Sequence, residues 1–230
     1  MSVHHIFLEV GRHLGFDEVR ITFARYAELK HVWKTSRGSV ELKLSDYVEE
    51  APERVMESLA TYLLSRAAGR KCPDGMARVY LDYARSREFW MPNREEYLSR
   101  SRNLVVGARG DVRDLDEVFD YVNSFYFSRR LEKPTLAWTT ESPRRRLGFY
   151  FEALNILAVN KAMDAERVPR FVLEFVMYHE LLHHVNAVDG KKVRRVHHTK
   201  SFREQERLFR TYDDAEVWLR RLVFESKRAR

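Results

Sequence analysis

The sequence predicts an α+β chain: a small mixed sheet beside one buried helix, preceded by an N-terminal α/β extension. Three observations carry this. Runs with apolar alternation, Val40-Leu42-Leu44 early on and Thr135–Thr140, Leu147–Phe151 and Ile156–Val159 later, read as short strands. Elsewhere apolar residues recur at i, i+3, i+4 spacing, as in Val55, Leu59, Tyr62 and Leu63, the mark of a helix with one buried face. Finally, Val168, Phe171, Val172, Phe175, Val176 and His179 hold that spacing without a break, so the histidines that follow continue a buried helical face.

Taken in order, the chain opens with a short helix and a strand around Val19–Tyr26, and Ser36-Arg37-Gly38 makes a turn into the alternating strand. Pro52 begins a helix that Gly69 stops, and Lys71-Cys72-Pro73-Asp74-Gly75 is a turn. Residues 76–91 read as one helix, with Val79, Tyr80 and Tyr83 on one side, until Pro92 interrupts. At 114–128 Leu115, Val118, Phe119, Val122 and Tyr126 line a helix face, and Asp114 with Glu117 has capping-box spacing. From Pro134 the three later strands follow, with a turn near Ser142-Pro143. Pro169 suits the first turn of the histidine helix. Beyond it, Phe202, Leu208 and Phe209 suggest one further helix, and Val217, Trp218, Leu219, Leu222 and Val223 a last one. The organisation expected is an N-terminal region at 1–130 and a second region at 131–230.

The chemistry concentrates in Tyr178-His179-Glu180-Leu181-Leu182-His183-His184. Positions i and i+4 share a helical face, with Cβ atoms roughly 5–6 Å apart, so His179 and His183 can offer two imidazoles to one cation. Glu180 is rotated about 100° from His179, which suits contact with a water rather than with the metal. Catalytic zinc needs a third protein ligand and an open position. His198 is the candidate, fifteen residues past His183, and five of the nine histidines (179, 183, 184, 197, 198) fall in this one window. Glu204 and Glu206 are the other third-ligand candidates, Glu204 ranking next. His184 or His197 would close the site as a fourth ligand. The plain alternative is a buried helix whose histidines are merely hydrogen-bonded.

HELLHH followed by HHTKSF resembles the SprT-like metallopeptidases, which include the Spartan DNA–protein crosslink proteases. That family carries His-Glu-x-x-His on one helix and a third histidine four residues before a phenylalanine on the next. Here His198 stands four residues before Phe202, so His198 rather than His197 takes that place. A Trp-Thr-Thr strand at Trp138 and a strand ending in Val159-Asn160 extend the resemblance over roughly residues 131–210. Thr199 departs from the glycine the family often has after its third histidine. The resemblance implies a zincin-like metallopeptidase fold, Zn²⁺ held by His179, His183 and His198, and hydrolysis of a protein or peptide substrate with Glu180 as general base. It implies, too, that the last strand borders the cleft, and that substrates include nucleic-acid-bound proteins. Spartan's cysteine-containing zinc module has no counterpart here, because Cys72 is the only cysteine. The rival class is a non-catalytic zinc-binding or nucleic-acid-binding protein on the same scaffold.

Charge is unevenly spread within a net +7: residues 131–230 hold 20 Lys/Arg against 14 Asp/Glu, residues 1–130 hold 21 against 20. The clusters Arg144-Arg145-Arg146, Lys191-Lys192 with Arg194-Arg195, and Lys227-Arg228 with Arg230 suit an acidic partner, nucleic acid among them. One cysteine excludes an internal disulfide, and no apolar run approaches eighteen residues, so a cytoplasmic protein with no membrane partner is expected. P-loop, G-x-S-x-G and dinucleotide fingerprints are all missing, which removes those enzyme classes. Arg109-Gly110-Asp111 reads as a coincidental adhesion tripeptide, and no feature fixes an oligomeric state. Tyr178, Tyr212 and His197 are the candidates for a second group on a reacting carbonyl.

Overall fold

The computed structural model describes residues 1–140, 146–188 and 198–228, with side chains described to residue 185 in the second span and to residue 222 in the third. The chain divides into two compact units, Met1–Ser101 and Arg102–Arg230.

In the first unit α1 (Val3–Leu14) begins where Ser2 accepts the His5 N–H and ends on Gly15, whose φ of 92° only glycine adopts readily. Strands β1 (Glu18–Ala24), β2 (Val32–Ser36) and β3 (Ser39–Ser45) follow, in sheet order β1-β3-β2. β1 runs parallel to β3, and β2 returns antiparallel to it across the two-residue turn Arg37-Gly38. The predicted alternation holds in β3, where Val40, Leu42 and Leu44 are buried while Glu41 and Lys43 face outward. α2 (Glu53–Ala67) packs on α1 and buries Val55, Leu59 and Leu63. The single helix expected over 76–91 is broken into α3 (Met76–Tyr83) and α4 (Arg87–Trp90). Ser86 leaves helical geometry there and caps the second piece, accepting from the Phe89 N–H. α5 (Arg94–Arg100) closes the unit, its Arg100 clasping both oxygens of Asp46 at 2.6 and 2.7 Å.

The second unit is built on a four-stranded mixed sheet of β4 (Leu104–Val106), β5 (Thr135–Thr139), β6 (Gly148–Phe151) and β7 (Ile156–Asn160), in order β4-β5-β7-β6. β5 and β7 are parallel; β4 and β6 flank them antiparallel. α6 (Leu115–Phe127) begins at Asp114, whose carboxylate accepts the Asp116 N–H. Together with α7 (Arg170–Val188) it packs on the sheet, and α8 (Lys200–Glu206) and α9 (Tyr212–Arg228) pack on α7. The unit therefore starts about thirty residues before the expected 130/131 division: β4 pairs with β5, and α6 shares a core with α7.

α7 is apolar on more than the predicted stripe. Val172, Leu173, Phe175, Val176, Met177, Tyr178, Leu181 and Leu182 are all buried, as expected of a helix covered on most sides. The sheet also corrects one expectation. β7 is buried at every residue between two neighbours, so it cannot be the strand that borders a cleft; among the described residues β4 and β6 are the edges of this sheet, and β6 lies against α7. A helix running through Phe202, Leu208 and Phe209 is not formed: α8 stops at Glu206, Leu208 is exposed in the following turn and Phe209 is buried.

Candidate metal centre

His179 and His183 stand one turn apart on α7, and the Thr199 side chain sets the entry to α8 by accepting the Phe202 N–H, which leaves His198 just ahead of that helix. The three imidazoles converge, each offering a nitrogen within 4.8 Å of the other two. Their ring centroids lie 5.0–5.2 Å apart. The Nε2 atoms of His179 and His198 are 3.2 Å apart. Two nitrogens bound about 2.05 Å from a tetrahedral cation stand about 3.3 Å apart, so this spacing suits joint coordination. The buried ring of Phe202 forms a floor under all three: it stacks on His183 at 4.6 Å and meets His198 and His179 at 4.9 and 5.2 Å.

Glu206, at the end of α8, places Oε1 2.6 Å from Nδ1 of His179. Burial alone would push this imidazole's pKa down, but the Glu206 carboxylate, with the charges of Glu180 and Glu216, raises it instead. Glu206 thus sits on the far nitrogen of a ligand rather than among the ligands. Glu204 is exposed and faces Lys200 at 3.9 Å, so neither glutamate serves as third ligand. His184 also turns elsewhere, its Nδ1 2.7 Å from the Tyr150 hydroxyl, which in turn meets Asn155 Oδ1 at 3.0 Å. Of the two fourth-ligand candidates, His184 therefore faces β6, and His197 lies outside the described residues.

Glu180 is buried against β6. Gly148 makes room for it: a Cβ at that position would stand 2.9 Å from both Cγ and Oε1 of Glu180. Burial pushes the Glu180 carboxyl up to about 7, against the opposing pull of His179, Arg146 and the Tyr150 backbone N–H, which donates to it. A carboxylate so placed beside the histidine cluster can accept a proton near neutral pH.

Tyr178 is not aimed at a reacting carbonyl, because its buried hydroxyl donates to the Gln205 carbonyl at 2.7 Å, and Tyr212 packs edge-on against Phe175. Among the expected basic clusters only Arg146 has a described side chain; its guanidinium donates to the Gly148 carbonyl at 3.1 Å and lies over Phe149. The other members lie outside the described residues or side chains. Arg109-Gly110-Asp111 leads into a backbone clamp, in which the buried Asp164 carboxylate accepts the N–H groups of Asp111, Val112 and Arg113.

Sequence reasoning missed the roles of Gly148, Tyr150 and Glu206. The available signal was the glycine inside a strand run, which marks a close approach of another group. No comparable signal pairs Glu206 with His179. No family model, curated protein or solved structure matches the chain, and no helix of the described residues is long and apolar enough to cross a membrane.

Proposed function

We propose that the chain is a zinc-dependent metallopeptidase of the SprT-like, zincin class, with His179, His183 and His198 as ligands and Glu180 as general base. The observation that carries this is the convergence of three histidines at ligand spacing, with a buried glutamate one residue past the first of them. Bound there, zinc would supply Lewis acidity, bringing an attacking water toward pKa ~7 and polarising the scissile carbonyl. Glu180 takes the proton of that water as it attacks and passes it to the departing amine. The Tyr150 N–H and the space over Gly148 hold its carboxylate in one orientation. β6 contributes an edge in the sheet order and lies against α7, so an extended substrate can add to it as a further strand beside the histidines. Backbone pairing of this kind reads little sequence, which suits a protease acting on varied proteins, including those held on nucleic acid.

A zinc site of purely structural role, in a non-catalytic zinc-binding or nucleic-acid-binding protein, is the weaker reading. Such a site needs no buried carboxylate beside its ligands, and burying one carries a desolvation cost without return. The test is Glu180→Gln on an unstructured protein substrate, with and without single-stranded DNA. The expected outcome is a normal zinc content and loss of hydrolysis; retained hydrolysis would remove Glu180 from the mechanism. Stimulation by DNA that fades with salt would support the nucleic-acid-associated substrate class.

A further inference from the structure

We infer that Glu206 is a positioning residue of the metal centre: its carboxylate holds the His179 ring by Nδ1 so that Nε2 is presented to the cation. The inference rests on the reading of the triad as a zinc site. An imidazole has two nitrogens, and the one that binds a metal is set by what the other one holds. In His179 the two ring nitrogens have different neighbours. Glu206 Oε1 lies 2.6 Å from Nδ1, while Nε2 of the same ring lies 3.2 Å from Nε2 of His198. The glutamate is itself fixed. Its side chain is only 13% exposed, and the neighbouring Gln205 carbonyl is tied to α7 by the Tyr178 hydroxyl at 2.7 Å. The end of α8 is thereby clamped to the helix carrying two ligands, while the start of α8 follows the third.

Two consequences follow from this arrangement. The carboxylate limits rotation of the ring, and a carboxylate on Nδ1–H makes the opposite nitrogen a stronger donor to zinc. Glu204, two residues earlier on the same helix, provides the matched control, being exposed and, among the described residues, facing Lys200.

The experiment measures zinc affinity of the full chain by competition with a chromogenic chelator, for wild type, Glu206→Gln and Glu204→Gln. A carboxylate partner of a ligating histidine is typically worth 10–100-fold in metal affinity, so Glu206→Gln should weaken zinc binding by that factor and Glu204→Gln should leave it unchanged. The visible absorption of the Co²⁺-loaded protein should also shift in Glu206→Gln alone, since a merely structural residue would not alter the ligand field. Melting of the metal-free proteins checks the fold. If Glu206→Gln is destabilised there, Glu206→Asp, which keeps the charge but falls short by one methylene, takes its place with the same expectation. Wild-type affinity and spectrum in the Glu206 variant would overturn the positioning role and leave the zinc site standing. A wild-type chain that binds no zinc would overturn both.

Discussion

Gly148→Ala should separate catalysis from metal binding. The added Cβ would stand 2.9 Å from Glu180 Cγ and Oε1 and 3.2 Å from the Ala158 carbonyl oxygen, where carbon contacts are comfortable only at about 3.5–4.0 Å. The carbonyl belongs to β7, which is paired with β6 at this level, so the backbone cannot yield cheaply. The Glu180 side chain must therefore give way by roughly 0.6–1 Å, and overpacking of this kind costs about 1–3 kcal/mol of stability. A displacement near 1 Å of a catalytic group costs on the order of 100-fold in rate. The three histidines lie on α7 and before α8, and none is among the atoms nearest to the new methyl group. We therefore expect Gly148→Ala to keep its zinc, melt somewhat earlier and lose about 100-fold in kcat, with KM for a peptide substrate nearly unchanged. Steady-state kinetics beside elemental analysis provide the assay. Wild-type kcat in a folded, zinc-loaded variant would refute the claim that Glu180 works from its position over Gly148.

Two further predictions concern the groups that hold each unit together. Burial would raise the Asp164 pKa, but Lys161 and three backbone N–H groups outweigh it and hold the carboxyl at about 2, below its usual 3.8. That difference stabilises the folded chain by about 2 kcal/mol above pH ~4 and is lost as pH falls through about 2. Asp164→Asn should accordingly lose exchange protection at the Asp111, Val112 and Arg113 amides at neutral pH, and unchanged protection would refute the clamp. In the first unit burial lowers the His31 pKa to about 4, and its Nδ1 accepts the Ser45 N–H at 3.2 Å while Nε2 meets the Tyr80 hydroxyl at 2.7 Å. Its neutral form contributes about 3 kcal/mol above pH ~6.5, lost as pH falls toward 4. Protection of the Ser45 amide should fall across that window in wild type and be flat in His31→Gln; a flat wild-type profile would contradict the assignment.

The strongest periodic signals were legible in the sequence, and the weaker elements were not. The histidine helix, α6 and the β3 alternation follow directly from spacing, because each buries a long run of apolar residues. β2 and β4 escaped. β2 has four of its five residues exposed and so shows no alternation, and β4 is three residues long with Val105 and Val106 about half exposed. A polar residue decided the break in 76–91, since Ser86 caps a new helix where apolar spacing alone would continue the old one. At the candidate metal site the three histidines were readable because a helix fixes i and i+4, and His198 precedes a recognisable apolar run. Glu180 was readable from the same helical spacing, but the contact of Glu206 was not, for a chain spacing of twenty-seven residues between His179 and Glu206 says nothing of which nitrogen a glutamate will reach. The cleft strand was misplaced because it was carried over from the family resemblance, whereas the order of the strands in the sheet and the contact of Gly148 with Glu180 point to β6.

The most direct test of the central claim is the zinc content of the purified chain and of His198→Ala, measured by elemental analysis without added metal. About one zinc per wild-type chain, lost or much reduced in the variant, is the result expected of a three-histidine site. A folded wild type that carries no zinc, even after reconstitution, or a variant that keeps it fully, would contradict the His179–His183–His198 centre.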